Sequence, residues 1–179
     1  MFRIYRINEW IYYLGYNILA FSIIKTFDIN ILFLTSSILA YAYSFNDYYD
    51  KELNKKYFLF PLLLSLLLIL KINTIQRIWA LSFLLIFTLY SWPKSYLEGK
   101  PIISTMINAI GFTLIFILPF QEFEMIIKNS GFIILFLSLN TIAQLIHEIV
   151  DYKNDKKINK ITTTVYFGKN FSKKFIQFL

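Results

Sequence analysis

Long apolar stretches separated by short polar segments make up most of this chain. Six of them run near residues 8–24, 29–45, 57–70, 75–92, 102–120 and 131–150. Most are long enough to cross a hydrocarbon core of about 30 Å, which takes roughly 20 residues. Their periodicity is weak, as expected of helices that are apolar on most faces, and the alternation typical of strands is absent. The pattern predicts an all-α, polytopic transmembrane helix bundle with about six spans and the start of a seventh.

The third stretch differs from the others because it is short and contains Pro61. A proline inside a helix removes one backbone hydrogen bond and crowds the preceding turn. We therefore expect this segment to be kinked, broken or only part-spanning. The first stretch has no small-residue cleavage site after it, so we interpret it as a retained span and not as a signal peptide.

The composition agrees with a membrane setting. Hydrophobic residues make up 57% of the chain and charged residues 16%, whereas soluble domains have about 45–50% and about 25%. The lipid bilayer is therefore the expected surrounding. The chain has no cysteine, which excludes disulfides and thiolate chemistry. No internal repeat or soluble module is visible, so we treat residues 1–179 as a single transmembrane domain.

The basic residues are unevenly divided between the predicted loops. Six spans place fourteen of the 18 Lys and Arg on one side and four on the other. The positive-inside rule assigns the richer side, with the N-terminus and both acidic clusters described next, to the cytoplasmic face of a cell membrane. Contact with anionic lipid headgroups is the simplest role for many of these lysines. No nucleic acid is expected as a partner.

Acidic residues form two clusters, at the predicted cytoplasmic ends of the second and sixth stretches. If the helices continue, one face of the first carries Asn46, Asp47, Asp50 and Asn54, and one face of the second carries Asn140, Gln144, His147, Glu148, Asp151 and Asp155. A single acidic helix end is usually just solvated, but two stacked clusters at one membrane face indicate a shared site. Oxygen ligands suit Mg²⁺, which completes its shell with water and phosphate. The pattern predicts a site for a metal-bound diphosphate.

Four segments resemble the UbiA superfamily of intramembrane prenyltransferases. The family's first motif, NDxxDxxxD, corresponds to NDYYDKELN at 46–54, and its second, DxxxD, to DYKND at 151–155. LYSWPKSYLEGKP at 89–101 is similar to the family's connection between its fourth and fifth helices. KITTTVYFGKN at 160–170 is similar to the stretch after its second motif. The segments occur in the family's order, and the resemblance covers nearly the whole chain.

The resemblance implies a function and a set of site residues. The implied reaction is the Mg²⁺-dependent transfer of a prenyl group from an isoprenyl diphosphate to an aromatic or lipid acceptor. The implied catalytic residues, which are also metal ligands, are Asp47, Asp50, Asp151 and Asp155. Glu148 joins the predicted metal ligands because of its helix face and the family's frequent acid there. The residues expected to bind the diphosphate are Asn46, Lys94 and Lys55.

Three departures from the family pattern affect these expectations. Asn54 stands where the family usually has a third Asp, and the usual Arg-Pro loop before the third helix is missing, with Lys55 and Lys56 as partial substitutes. The family generally has nine spans, so we expect a C-terminally incomplete domain or one that completes itself as a homo-oligomer. The alternative function is a catalytically inactive or accessory membrane protein that retains the fold. An ion transporter is less favoured because its acids would lie near the midplane.

Overall fold

The chain folds into a bundle of helices. The computed structural model describes residues 5–50, 54–95 and 97–179, apart from the side chains of Asp50 and Glu98. Its α-helices are α1 (Ile7–Trp10), α2 (Leu14–Ile24), α3 (Ile29–Asp50), α4 (Lys56–Ile69), α5 (Thr74–Ser91), α6 (Ile103–Ile117), α7 (Phe123–Lys128), α8 (Ser130–Lys157), α9 (Thr163–Phe167) and α10 (Lys169–Phe178). Short 3₁₀ turns follow α1, at Ile11–Tyr13, and precede α6, at Leu97–Gly99. No strand occurs in these described ranges, which confirms the predicted all-α class.

Each of the six predicted spans corresponds to a helical segment. Thr74–Ser91 and Ser130–Lys157 are long and apolar enough to cross a membrane by length and composition, and α4 and α6 are shorter apolar helices. Of the three alternatives stated for this segment, a break at Pro61 is wrong, because α4 runs through it as one helix, whereas a short, part-spanning helix fits. Its 14 residues rise only about 21 Å at 1.5 Å per residue.

The helices pack around a core that lies between α2, α3, α5 and α6. The most extensive contacts join α3 to α4 and α6 to α8. Phe83, Phe116 and Leu34 are fully buried there. Buried polar side chains link the helices, as expected inside a membrane bundle: Asn17 on α2 donates from Nδ2 to the Ile115 carbonyl on α6 at 2.7 Å. Asn17 therefore ties α2 to α6.

The outside of the bundle is strongly apolar. Large side chains such as Leu67, Leu85 and Ile134 are more than half exposed. In water these surfaces would be costly at about 25 cal/mol per Å², whereas lipid tails solvate them without penalty. This arrangement, apolar outside with buried polar links inside, is what a helical membrane protein requires.

The segment after α8 turns back onto the bundle. Asn159 has a left-handed backbone (φ 57°), and the next amide, that of Lys160, donates to the Asp155 carbonyl at 2.9 Å. This is the Schellman arrangement that ends many helices, and asparagine tolerates its left-handed position. Thr162 then caps α9, because its hydroxyl accepts the Val165 amide at 3.3 Å. The turn therefore holds residues 160–162 next to the end of α8.

Candidate functional site

A cavity of about 570 Å³ opens between the helices at the end that carries both acidic motifs. The polar stripe predicted on α8 forms one wall, with Asn140, Gln144, His147, Glu148, Asp151 and Asp155 all lining it. A helix of 3.6 residues per turn places residues at this spacing on one face. The stripe therefore faces an internal cavity, not lipid.

The opposite walls come from α3, α5 and α6. Asn46, from the first motif, lines the cavity, and its Oδ1 accepts a hydrogen bond from Ser91 Oγ at 3.1 Å. Asn108 on α6 also lines it and donates to the Tyr90 hydroxyl on α5 at 3.0 Å. Segments from both predicted motifs thus meet at one cavity, with uncharged polar groups between them.

The other residues of the first motif are placed differently. Asp47 is buried, and its Oδ1 lies 3.4 Å from an Arg6 guanidinium nitrogen. Asp50 ends α3, and its side chain lies outside the described part of the chain. Asn54 does not extend the α3 face. It lies just before α4, where its Oδ1 accepts the Lys56 amide at 3.1 Å.

The second motif contributes two carboxylates to the cavity wall. Asp151 is partly exposed and lies 3.2 Å from His147 Nε2. Asp155 lies beyond the predicted span, which ends at residue 150. Burial raises its pKa, the Lys160 charge lowers it, and the neighbouring Asp151 raises it again. A raised pKa means that the ionised form is disfavoured where it sits, which a bound cation would reverse.

The carboxylates do not form a tight cluster by themselves. Among the described side chains, no three His, Cys, Asp or Glu side chains converge on one point as a metal site. The donors that line the cavity are nonetheless oxygens of the type that Mg²⁺ prefers. The donor chemistry therefore fits a hard divalent cation, and the roles assigned to individual carboxylates stay predictions.

Two positively charged residues, Arg6 and Lys160, line the cavity, although neither is among the site residues predicted from the sequence. Arg6 donates from Nε to Glu9 at 2.7 Å and lies over the Tyr43 ring at 5.2 Å. Lys160 reaches the cavity from the turn after α8. Arg6 precedes the first span and carries no local signal that marks it as part of a site, whereas Lys160 opens the segment at 160–170 that resembles the family's stretch after the second motif.

The lysines that were predicted to bind a diphosphate lie elsewhere. Lys55 is exposed just before α4, and Lys94 is exposed next to Trp92, with its ammonium 5.9 Å from the ring centroid. Neither lines the cavity. Among the described residues, the lysine and arginine that line the cavity are Arg6 and Lys160.

Glu148 differs from the other acids of the stripe because both of its oxygens accept hydrogen bonds within the bundle. It is only 2% exposed. Oε1 accepts from Thr105 Oγ1 at 2.9 Å and from Gln144 Nε2 at 3.4 Å, and Oε2 accepts from the Thr164 amide at 2.9 Å. These bonds join α6, α8 and α9 at one point.

Aromatic side chains form the apolar part of the cavity. Tyr13 and Phe112 are stacked with their ring centroids 4.1 Å apart, and Phe87 meets Phe112 edge-on at 5.4 Å. All three line the cavity. Gly111 makes this packing possible, because a Cβ there would overlap the Phe87 ring. The cavity is therefore charged at one end, uncharged and polar in the middle, and aromatic further in.

Comparison with solved structures identifies the fold. Over 98% of this chain and 72% of the other, a UbiA homologue from Archaeoglobus fulgidus bound to DMAPP and Mg²⁺ superposes with a TM-score of 0.82 at 19% identity. A structure of a UbiA homologue from the same organism bound to GPP and Mg²⁺ gives 0.81 at 19% identity over the same shares. One bound to Cd²⁺ gives 0.69 at 21% identity, over 83% of this chain and 59% of that one. No protein-family model and no curated protein matches the sequence.

The bundle, with its apolar exterior and its acid-lined cavity, defines a helical membrane-protein fold. That fold is the one adopted by UbiA homologues. The superposition thus confirms, at the level of the fold, the resemblance drawn from the four sequence segments. At this low identity the sequence alone could not establish the fold.

Proposed function

We propose that this chain is an Mg²⁺-dependent intramembrane prenyltransferase, which moves a prenyl group from an isoprenyl diphosphate to an aromatic or lipid acceptor. One observation carries the proposal. A single cavity combines oxygen ligands from both motifs, two cations and an aromatic inner wall. A diphosphate with an apolar tail matches this arrangement: the charged diphosphate suits the oxygen ligands and cations, and the tail suits the aromatic wall. The diphosphates and Mg²⁺ bound by UbiA homologues of the same fold support this assignment.

The carboxylates at the charged end would hold the metal. Asp151 and Asp155 line the cavity, and the predicted ligands Asp47 and Asp50 of the first motif belong to the last turn of α3. When bound, Mg²⁺ supplies charge neutralisation of the leaving diphosphate. Arg6 and Lys160 add positive charge at the same end, and charge-assisted hydrogen bonds from such groups are among the strongest available to a phosphate.

The inner wall would receive the prenyl tail. Phe87, Phe112 and Tyr13 offer ring faces to an apolar chain and, if positive charge develops on the allylic carbon, to that charge as well. Asn46 is fixed by Ser91, so its amide is oriented at the boundary between the charged and apolar ends. The chain's own residues thus bind the two ends of the donor and orient it along the cavity.

The test is release of pyrophosphate from farnesyl or geranylgeranyl diphosphate by purified protein in lipid, with a panel of acceptors. We expect turnover that depends on Mg²⁺ and stops with EDTA. Activity unaffected by EDTA would contradict the proposal. No turnover with any donor and acceptor would favour the inactive or accessory protein instead.

A further inference from the structure

Glu148 ends a directed chain of hydrogen bonds that fixes the segment after the second motif. The Ile102 amide donates to Thr163 Oγ1 at 2.8 Å, the two hydroxyls of Thr163 and Thr105 lie 2.6 Å apart, and Thr105 donates to Glu148. Because the Thr105 proton points to Glu148, the Thr163 proton must point to Thr105. Every hydroxyl in the chain therefore accepts one bond and donates one, and the carboxylate is the final acceptor.

The backbone at the start of this chain is strained. Ile102 has φ 63° and ψ −52°, and the Ile103 amide donates to the Pro101 carbonyl at 2.6 Å. This is the classic γ-turn, which is rare, and it is costly for a β-branched residue. Such a conformation persists only where the surroundings hold it. The bond from the Ile102 amide to Thr163 is one of the contacts that does so.

The Glu148 carboxylate also holds the far end of the turn that contains Lys160. The Schellman arrangement at Asn159 ties Lys160 to the end of α8, and Glu148 ties the Thr164 amide in α9 back to the middle of α8. The Thr164 hydroxyl in turn pairs with Ser172 of α10 at 2.9 Å. With residues 160–162 fixed on both sides, the Lys160 side chain is directed at the cavity.

We infer that Glu148 is a positioning residue, which locks the 159–164 turn so that Lys160 meets the diphosphate, and that it is not the metal ligand that the sequence predicted. Its two oxygens already accept three hydrogen bonds, and these join three helices, whereas Asp151 is partly exposed and, within the described part of the chain, its ion pair is with His147 on its own helix. The inference rests on the proposed function for the identity of the anion, but the locking of the turn does not.

The test compares Glu148→Ala, Glu148→Gln, Lys160→Ala and the double variant E148A/K160A, with Glu124→Ala on the exposed side of α7 as the control. The first readout is hydrogen–deuterium exchange of residues 159–168 in the full chain, without ligand. We expect Glu148→Ala to speed exchange there by tenfold or more, and Lys160→Ala to leave it unchanged. Glu148→Gln should give an exchange rate between those of the wild type and Glu148→Ala, because the amide oxygen of glutamine can still accept a hydrogen bond from the Thr164 amide.

The second readout is the affinity for inorganic pyrophosphate with Mg²⁺. Glu148→Ala and Lys160→Ala should each weaken it by about tenfold, as for loss of one charge-assisted contact. The double variant should be no more than about twofold weaker than either single variant, because both act through the same contact. The Mg²⁺ concentration for half-maximal binding should stay at the wild-type value in Glu148→Gln but rise in Asp155→Asn.

Two outcomes would overturn the inference. Unchanged exchange in Glu148→Ala would show that the carboxylate does not hold the turn. A rise in the Mg²⁺ requirement of Glu148→Gln equal to that of Asp155→Asn would make Glu148 a metal ligand. If the wild-type chain binds no pyrophosphate, the proposed function and the role of Lys160 fail together, while the exchange measurement still decides whether Glu148 locks the turn.

Discussion

Arg6 and Asp47 form an ion pair across 41 residues of sequence, with 3.4 Å between guanidinium nitrogen and carboxylate oxygen. The pair joins the segment before α1 to the first acidic motif at the end of α3. Asp47 is nearly inaccessible, whereas Arg6 is partly exposed and lines the cavity. Arg6 therefore compensates a buried carboxylate on one side and presents positive charge to the cavity on the other.

The two roles of Arg6 predict separable effects. Arg6→Ala removes the Arg6 ion pair from the buried Asp47 carboxylate, which costs up to about 3–5 kcal/mol for a fully buried pair and less here because Arg6 is partly exposed. It should also weaken diphosphate binding by about tenfold or more. Adding Asp47→Asn should restore most of the melting temperature, because it removes the buried charge. The diphosphate affinity of R6A/D47N should still lie below that of Asp47→Asn alone, which lacks only the predicted metal ligand.

The measurements are thermal unfolding and pyrophosphate affinity in lipid nanodiscs. Lys71→Ala, which removes an exposed cation between α4 and α5, is the matched control. If R6A/D47N matched Asp47→Asn alone in both stability and affinity, Arg6 would be only a counterion to Asp47.

Gly111 sets the width of the apolar end of the cavity. Gly111→Ala would force the Phe87 ring away from α6, and overpacking of this kind typically costs about 1–3 kcal/mol. Because Phe87 lines the cavity, we expect geranylgeranyl diphosphate to lose more turnover than dimethylallyl diphosphate. A second change, Phe87→Leu, should restore the longer donor. Equal losses for both donors would show that the ring does not move into the path of the tail.

The topology can be tested directly because the chain has no cysteine of its own. Single cysteines at Asn54 and Lys157 should both react with a membrane-impermeant reagent from the cytoplasmic side. Cysteines at Lys71 and Lys128 should react from the other side. All four positions are exposed in the structure. Labelling of positions 54 and 157 from opposite sides would contradict a shared site.

The sequence predicted the helices well because each span is a long apolar run bounded by polar residues. The α8 stripe was also predictable, since one helix carries all of it and its periodicity alone places Asn140 and Asp155 on the same face. Pro61 did not break its helix. Ser37 on α3 and Ser65 one turn later both donate to the Pro61 carbonyl, at 2.8 and 2.7 Å, and the Ser37 bond ties this part of α4 to α3.

What the sequence could not predict depends on contacts between distant segments. Arg6 meets the site only because the segment before α1 contacts α3 at Tyr43 and Asp47, and Lys160 only because the turn at Asn159 reverses the chain. Asn54 was placed on the α3 face by assuming a continuous helix, whereas it lies before α4 and accepts the Lys56 amide. The engagement of Glu148 by Thr105 and Thr164 also joins three helices, so no local pattern could have distinguished it from Asp151.

The carboxylates of the two motifs carry the last prediction, which separates a metal site from a set of solvated acids. Asp47→Asn, Asp50→Asn, Asp151→Asn and Asp155→Asn should each lower turnover by about a hundredfold or more, the scale of losing a major electrostatic contributor. Glu124→Gln, on the exposed side of α7, should have no effect. Loss of activity alone would not identify a metal site, so unfolding must be measured as well.

Asp155→Asn gives the sharper test, because burial raises the pKa of the Asp155 carboxyl. The ionised form is then disfavoured in the fold, so it lowers stability as the pH rises through that pKa. Without metal, Asp155→Asn should be at least as stable as the wild type at neutral pH, and this advantage should disappear in acid. With Mg²⁺ and pyrophosphate the wild type should become the more stable of the two proteins, because ligand at 100 times its dissociation constant stabilises a competent site by about 2.7 kcal/mol. Equal stabilisation of both proteins by Mg²⁺ and pyrophosphate would show that Asp155 does not bind the cation.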